Sequence, residues 1–450
     1  MADPLVFKVH RQQSELIIPA NPTPHDFKPL SDIDDQDGLR VQLPLIFLYR
    51  FHPSMRRNDP VRLFKQSLAQ TLVFYYPFAG RIREWPNRKL VVECTGEGVL
   101  FVEADADVSL EQFGDAIRPP FPCFDELLFD VPGSNGIVNC PLMLIQVTRL
   151  MCGGIIIGLR YNHTISDATG ILQFWSTVGE MARGARVPTV PPVWERHLLN
   201  ARDPPSVTCV HEEYTEVADT DENIPLVDKD HRSFFFGKEE ISSLRRLAPP
   251  HLGHCSRYEL LTACMWRCRT IALQPSPEEE MRIICIVNAR NTFNPPIPKG
   301  YYGNCIAYSA VKARAGDLSQ KSIGYAVELL RKAKAKITEE YMRSVADLMV
   351  IKGRPWYTMA RSFLVSGTAR LRFDEVDLGW GRAVFGGPAR GNVASFHIAF
   401  RNKNGEDGIV VTLCLPKLAM QIFLQELDSM LSKDHPTGGS NTKFTMSSAL

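Results

Sequence analysis

The chain has 450 residues, with 51 Lys and Arg against 50 Asp and Glu and a formal net charge of +1. Such a balance gives no global attraction to nucleic acid or to an anionic membrane, so any phosphate-binding surface must be local. The 44% hydrophobic and 22% charged fractions are those of a soluble globular protein, and the length exceeds one ordinary core, so roughly two or three domains are expected.

No apolar run approaches the ~18 residues of a membrane span. The opening Met1-Ala2-Asp3-Pro4-Leu5-Val6-Phe7 lacks a basic region followed by a long apolar one. The expected location is therefore the cytoplasm, with no membrane or nucleic-acid partner. The 11 cysteines are odd in number and lack paired short spacings, which reads as reduced thiols packed as small hydrophobes.

In chain order, Asp59-Pro60 reads as a helix cap followed by proline at the first helical position. Val61, Phe64, Leu68 and Leu72 continue on one face. Leu90-Val91-Val92-Glu93-Cys94 is a short apolar run of strand type. Gly154-Ile155-Ile156-Ile157-Gly158-Leu159-Arg160-Tyr161 is a longer one, and its β-branched content between glycines predicts a buried strand. His163-Thr164-Ile165-Ser166-Asp167 follows, and then Ile171, Phe174, Trp175, Val178 and Met181 recur at helical spacing until Gly184.

This motif is thus a strand-to-helix corner, with Asp167 near a helix start, where a carboxylate is favoured. Imidazole is the side chain best suited to accept a proton near neutral pH, so His163 is a candidate general base. The bland alternative is a capping or packed histidine. Asp167 could orient the imidazole or serve the corner structurally. Ser166 does not read as a hydrolytic nucleophile, because no G-x-S-x-G elbow occurs.

Val187 to Thr215 contains Pro188, Pro191, Pro192, Pro204 and Pro205 with little periodicity, as expected of a segment crossing between domains. Ser256-Arg257-Tyr258-Glu259 has capping-box spacing before Leu260, Leu261 and Trp266. Cys264 and Cys268, near His251, His254 and Cys255, lack a second ligand pair at a zinc-site spacing, so no metal is expected. Ile283-Ile284-Cys285-Ile286-Val287 and Gly408-Ile409-Val410-Val411-Thr412-Leu413 are further strand runs. Asp377-Leu378-Gly379-Trp380-Gly381 reads as a tight glycine turn around a core tryptophan. Met420, Phe423, Leu424, Leu427 and Leu431 mark a last amphipathic helix, and the tail from about residue 434 reads as disordered. The alternation of helices and strands argues for a mixed α/β chain.

The His163 to Asp167 and Asp377 to Gly381 motifs occur with Tyr75-Tyr76-Pro77-Phe78-Ala79-Gly80-Arg81, Asn288-Ala289-Arg290, Tyr301-Tyr302-Gly303-Asn304 and Leu413-Cys414-Leu415-Pro416. In this order they resemble the plant BAHD acyl-CoA-dependent acyltransferases, from about residue 5 to 432. Leu378 stands where the family has phenylalanine. Leu30 to Gln36, Met181 to Ala185 and Ser344 to Leu348 are most similar to the alcohol acyltransferases of that family, benzyl alcohol O-benzoyltransferases especially.

The resemblance implies an α/β fold of two chloramphenicol-acetyltransferase-like domains joined by a crossover, with a solvent channel between them. The N-terminal domain would span 1–190, the crossover 191–230 and the C-terminal domain 231–450. His163 and Asp167 would be the catalytic-motif residues, His163 as general base and Asp167 paired with Arg290. Asp377, Gly379, Trp380 and Gly381 would be structural. Ser256, Arg257, Asn304 and Ser395 would contact coenzyme A. Gly386 to Asn392 looks shorter than the matching loop of many benzyl alcohol benzoyltransferases, which bears on acyl or acceptor preference.

The implied reaction is ester formation from an acyl-CoA cosubstrate and a small alcohol in a ternary complex, with benzoyl-CoA and benzyl alcohol leading. Acetyl-CoA with a small alcohol, a larger specialised metabolite as acceptor, and a non-catalytic acyl-CoA-binding protein are the alternatives. No permanently bound cofactor is implied, and the family suggests a monomer. Ser448-Ala449-Leu450 is a weak variant of the S-K-L signal, so the peroxisome is the alternative location.

Overall fold

The computed structural model describes residues 5–115, 117–130, 136–215, 228–391 and 393–432. The tail expected to be disordered, Ser448-Ala449-Leu450 and Asn392 lie outside the described residues. Two large mixed sheets organise the chain. The first has strands in the order Val9–Arg11, Val99–Ala106, Met143–Leu150, Ile155–Asn162, Gln42–Tyr49 and Phe385–Pro388, with Glu15–Ile17 also paired to Val99–Ala106. The second runs Lys229–Phe236, Asp407–Pro416, Ala394–Arg401, Ser362–Gly367, Glu280–Asn288 and Ile306–Arg314. A small third sheet joins Phe27–Pro29, Leu90–Glu93 and Arg81–Glu84.

The isoleucine-rich run forms the strand Ile155–Asn162, flanked by antiparallel neighbours on both sides. Both its faces are covered, which is why it reads as a continuous apolar run and does not alternate. The helix Pro60–Phe74 starts at the expected cap, where Asp59 Oδ1 accepts from Val61 N at 3.0 Å. It packs on the helix Ala168–Ala182, with Phe64 stacked on Trp175 at 5.7 Å between ring centroids. Tyr75 and Phe78 hold Tyr302 at 5.1 and 5.8 Å, so a ring from the C-terminal half completes the first core.

In the second half, the helix Arg257–Leu273 begins at the expected capping box, with both reciprocal bonds formed between Ser256 and Glu259. Cys264 and Cys268 are buried in its core, their thiols against Met430 Sδ. The last helix, Lys417–Ser432, buries Met420, Phe423, Leu427 and Met430, whereas Leu424 and Leu431 are only half-buried. Its inward stripe therefore sits slightly rotated from the expected one.

The proline-rich crossing segment is pinned at several points. Asp347 accepts from Arg202 N, Arg202 Nε and Ser206 N at 2.6, 2.6 and 3.1 Å, and Ser344 Oγ accepts from Thr208 N and Cys209 N at 3.0 Å. A second interlock is the strand Phe385–Pro388, which leaves the C-terminal half to pair with Gln42–Tyr49 in the first sheet.

Candidate active site

His163 opens a single 3-10 turn where the strand Ile155–Asn162 ends. Asn162 caps that turn, its Oδ1 accepting from Thr164 N at 3.1 Å and Thr164 Oγ1 at 2.7 Å. The His163 amide donates to Val41 O at 2.9 Å, and its ring stacks on Tyr161 at 5.8 Å. These contacts fix both the backbone and the ring plane. Burial holds the His163 imidazole below its ordinary value, against the opposing pull of the Asp167 and Asp34 charges and the bond to Asn304. The neutral, proton-accepting form is thereby favoured near neutral pH.

The ring's Nδ1 lies 3.1 Å from Asn304 Oδ1. Asn304 Nδ2 faces three acceptors, Asp34 Oδ1 at 2.9 Å, His163 O at 2.8 Å and Thr164 O at 3.1 Å. With the amide's donors so committed, its oxygen turns to the imidazole, and a neutral ring carries its proton on Nδ1. Nε2 then holds the lone pair. Asn304 is fully buried, so the structure brings it to the imidazole and not to an open coenzyme surface.

Asp167 does not orient the imidazole. Its Oδ1 accepts from Thr169 N and Gly170 N, both at 3.0 Å, which caps the helix Ala168–Ala182. Arg290 grips both oxygens at 2.7 and 2.9 Å, and Cys305 N donates to Oδ2 at 3.0 Å. Burial opposes ionisation of Asp167, but Arg290 and these backbone donors outweigh it and hold the carboxyl below the usual range. The pair is a structural clamp that ties the corner to the segment after the strand Glu280–Asn288.

Ser166 is committed as well, its hydroxyl donating to Tyr302 O at 2.7 Å. The helix and this segment meet at Gly170, where a Cβ would lie 2.0 Å from Tyr302 O. Only glycine permits that approach.

The second motif sits apart from the base. Asp377 Oδ1 accepts from the amides of Gly379, Trp380 and Gly381 at 2.8, 3.1 and 2.9 Å. Trp380 is buried edge-on to Tyr49 at 5.4 Å, and Leu378 packs in the same core in the place of phenylalanine. Arg183 donates to Asp377 O, so the loop docks at the C-terminal end of the helix whose N-terminal cap is Asp167. The loop also lies close against Gly179, where a Cβ would come 2.5 Å from Asp377 O, and the twelve residues of helix from Asp167 to Gly179 span about 18 Å.

Arg257 is exposed at the start of the helix Arg257–Leu273, beside Ser256. Ser395 is buried, its hydroxyl donating to Thr412 O. Of the four residues expected to contact coenzyme A, Arg257 is thus exposed and Ser256 half-buried, while Asn304 and Ser395 are buried. Sequence reasoning also passed over the role of Asp34, a buried carboxylate beneath Asn304, which the sequence shows only as one of three aspartates in Leu30-Ser31-Asp32-Ile33-Asp34-Asp35-Gln36.

The family model described as Transferase family matches residues 7–430. A benzyl alcohol O-benzoyltransferase of Nicotiana tabacum is 61% identical over 444 residues, covering 97% of this chain and 96% of that protein. Alcohol acyltransferase 16 of Actinidia chinensis var. chinensis is 52% identical over 440 residues, covering 96% of each. Among solved structures, vinorine synthase superposes with a TM-score of 0.73 at 23% identity, covering 94% of this chain and 98% of that one. F. sporotrichioides TRI101, solved with coenzyme A and T-2, gives 0.68 at 16% identity, covering 89% and 97%. The histidine corner, the distant aspartate-tryptophan loop and these full-length matches lead to one conclusion: the chain is an acyltransferase that belongs to the BAHD transferase family.

Proposed function

We propose that this protein transfers an acyl group from acyl-CoA to the hydroxyl of a small alcohol, with benzoyl-CoA and benzyl alcohol as the leading pair. Benzyl benzoate and free coenzyme A would be the products. The full-length 61% identity to a benzyl alcohol O-benzoyltransferase supports the substrate class. The observation that carries the mechanism is the 3.1 Å contact of His163 Nδ1 with Asn304 Oδ1, because it leaves Nε2 free to accept a proton.

In this reading, His163 Nε2 takes the hydroxyl proton as the alcohol oxygen attacks the thioester carbonyl. The tetrahedral intermediate collapses, the C–S bond breaks, and the departing thiolate receives the proton from His163. Both substrates are bound together and no acyl-enzyme forms. Acyl-CoA enters and leaves as a cosubstrate. Arg257, exposed at a helix start, is the better placed of the coenzyme candidates to meet a phosphate. Cytoplasmic location and a monomeric state remain part of the proposal.

A second reading, acetyl-CoA with a small aliphatic or aromatic alcohol, draws support from the 52% identity to an alcohol acyltransferase. The test is a matrix of benzoyl-, acetyl- and longer acyl-CoAs against benzyl alcohol, hexenol and methanol, following thiol release and ester. The expected outcome is highest kcat/KM for benzoyl-CoA with benzyl alcohol, and a folded His163→Ala protein with turnover reduced about a hundredfold or more. Near-native turnover by His163→Ala would remove it as the base. Saturable acyl-CoA binding without ester from any pair would instead favour a non-catalytic binder.

A further inference from the structure

Asp34 lies in the Leu30 to Gln36 segment, outside both motifs that mark the site, and is fully buried. Its two oxygens take five donors. Oδ2 accepts from Ser31 N at 3.0 Å and Ser31 Oγ at 2.6 Å. Oδ1 accepts from Asn304 N at 2.8 Å, Asn304 Nδ2 at 2.9 Å and Arg196 Nη1 at 2.8 Å.

Arg196 is fixed in turn. Its Nη2 donates to Ile165 O at 2.8 Å, inside the His163 corner, and its guanidinium stacks on Trp194 at 4.3 Å and Tyr302 at 5.1 Å. Gly303 makes room for it, since a Cβ there would lie 1.8 Å from Nη1. One carboxylate thus joins three chain segments at the back of the imidazole: the N-terminal loop, the crossover, and the connection ahead of the strand Ile306–Arg314.

We infer that Asp34 is a positioning residue for acyl transfer, acting through Asn304 to set which nitrogen of His163 carries the proton. A reversed amide would point Asn304 Oδ1 at the Asp34 carboxylate and at the His163 and Thr164 carbonyls, a set of acceptors with no donor among them. The charge on Asp34 makes that reversal costlier than the neutral carbonyls would alone, because charge-assisted bonds are about twice as strong. The correct amide orientation holds the proton on Nδ1 and the lone pair on Nε2. Asp34 does for Asn304 what a triad carboxylate does for its histidine, one residue further back.

This inference rests on His163 as the base, and the experiment separates the two. Asp34→Asn, Asn304→Ala, the double variant and His163→Ala are assayed with benzoyl-CoA and benzyl alcohol, and folding is checked by circular dichroism. Asp34→Asn is expected to lower kcat by about ten- to a hundredfold with both KM values unchanged. The same change on the Asn304→Ala background should cost nothing further, because its route to the imidazole is already cut.

Selective ¹⁵N labelling of the histidines should show His163 as the Nδ1–H tautomer in the native protein and as a mixture in Asp34→Asn. If Asp34→Asn fails to fold for want of a partner for Arg196, Asp34→Asn with Arg196→Gln removes both charges and is read in the same way. Unchanged kcat, a loss confined to KM, an equal loss on the Asn304→Ala background, or an unaltered tautomer would each overturn the role of Asp34. Native turnover by His163→Ala would overturn the base itself, whatever Asp34 does.

Discussion

An imidazole stripped of much of its hydration is easier to keep neutral than to protonate, and the half-buried His163 uses that bias. Burial lowers its pKa, and a base must be unprotonated to act, so activity is lost only as pH falls through the depressed value. The acid limb of kcat/KM for the free enzyme is therefore expected below the ordinary imidazole value of about 6.5. A pH–rate profile from 4.5 to 9, in roughly half-unit steps, checks this, and an acid limb centred above 7 would contradict it. Asp167 shows the opposite use of burial. Its carboxylate is charged, saturated and turned toward Arg290, so it shapes the corner without touching the reacting atoms. The candidate role of His163 was legible from residue type and position. Whether the carboxylate four residues later faced the ring was not, because that depends on the direction of one side chain at a turn.

At the scale of elements, the strand Ile155–Asn162 and the helix Ala168–Ala182 were readable from local pattern alone. A run of three isoleucines between glycines and then a 3.6-residue recurrence each need only neighbours in sequence. What that pattern does not reveal is how closely the helix approaches the Tyr301 to Cys305 segment. Gly170 decides it, because any side chain there meets the Tyr302 carbonyl within 2.0 Å. Gly170→Ala is expected to push the two elements apart at a cost of about 1–3 kcal/mol. The shift would also disturb Asn304, two residues from Tyr302. Urea unfolding should therefore show the loss of stability, and kcat should fall with it; a variant as stable and as active as the native chain would show that the contact relaxes freely.

Over the whole molecule, the two halves are locked both beside the base and away from it. Tyr302 completes the first core, Phe385–Pro388 extends the first sheet, and the Asp377 loop docks through Trp380 on Tyr49. Trp380→Ala should cost about 3–5 kcal/mol of stability. Because the loop lies some 18 Å of helix away from the corner, turnover per folded molecule should be preserved. Denaturant midpoints alongside activity at low denaturant test this, and a fall in kcat without a fall in stability would move the loop into the chemistry.

By itself the sequence determined the family, the α/β class, the strand-to-helix corner carrying His163, and the helix starts at Asp59 and Ser256. Each of these rests on spacing within a few residues, or on a set of motifs whose order along the chain is visible directly. Only the tertiary structure decided that Asn304 lies under the imidazole, that Ser395 faces inward, and that Asp34 anchors the network behind them. Those contacts join residues 141 and 270 positions apart. They arise from the docking of two sheets and a crossover, which brings distant polar groups into one buried place where a polar group left without a partner is costly.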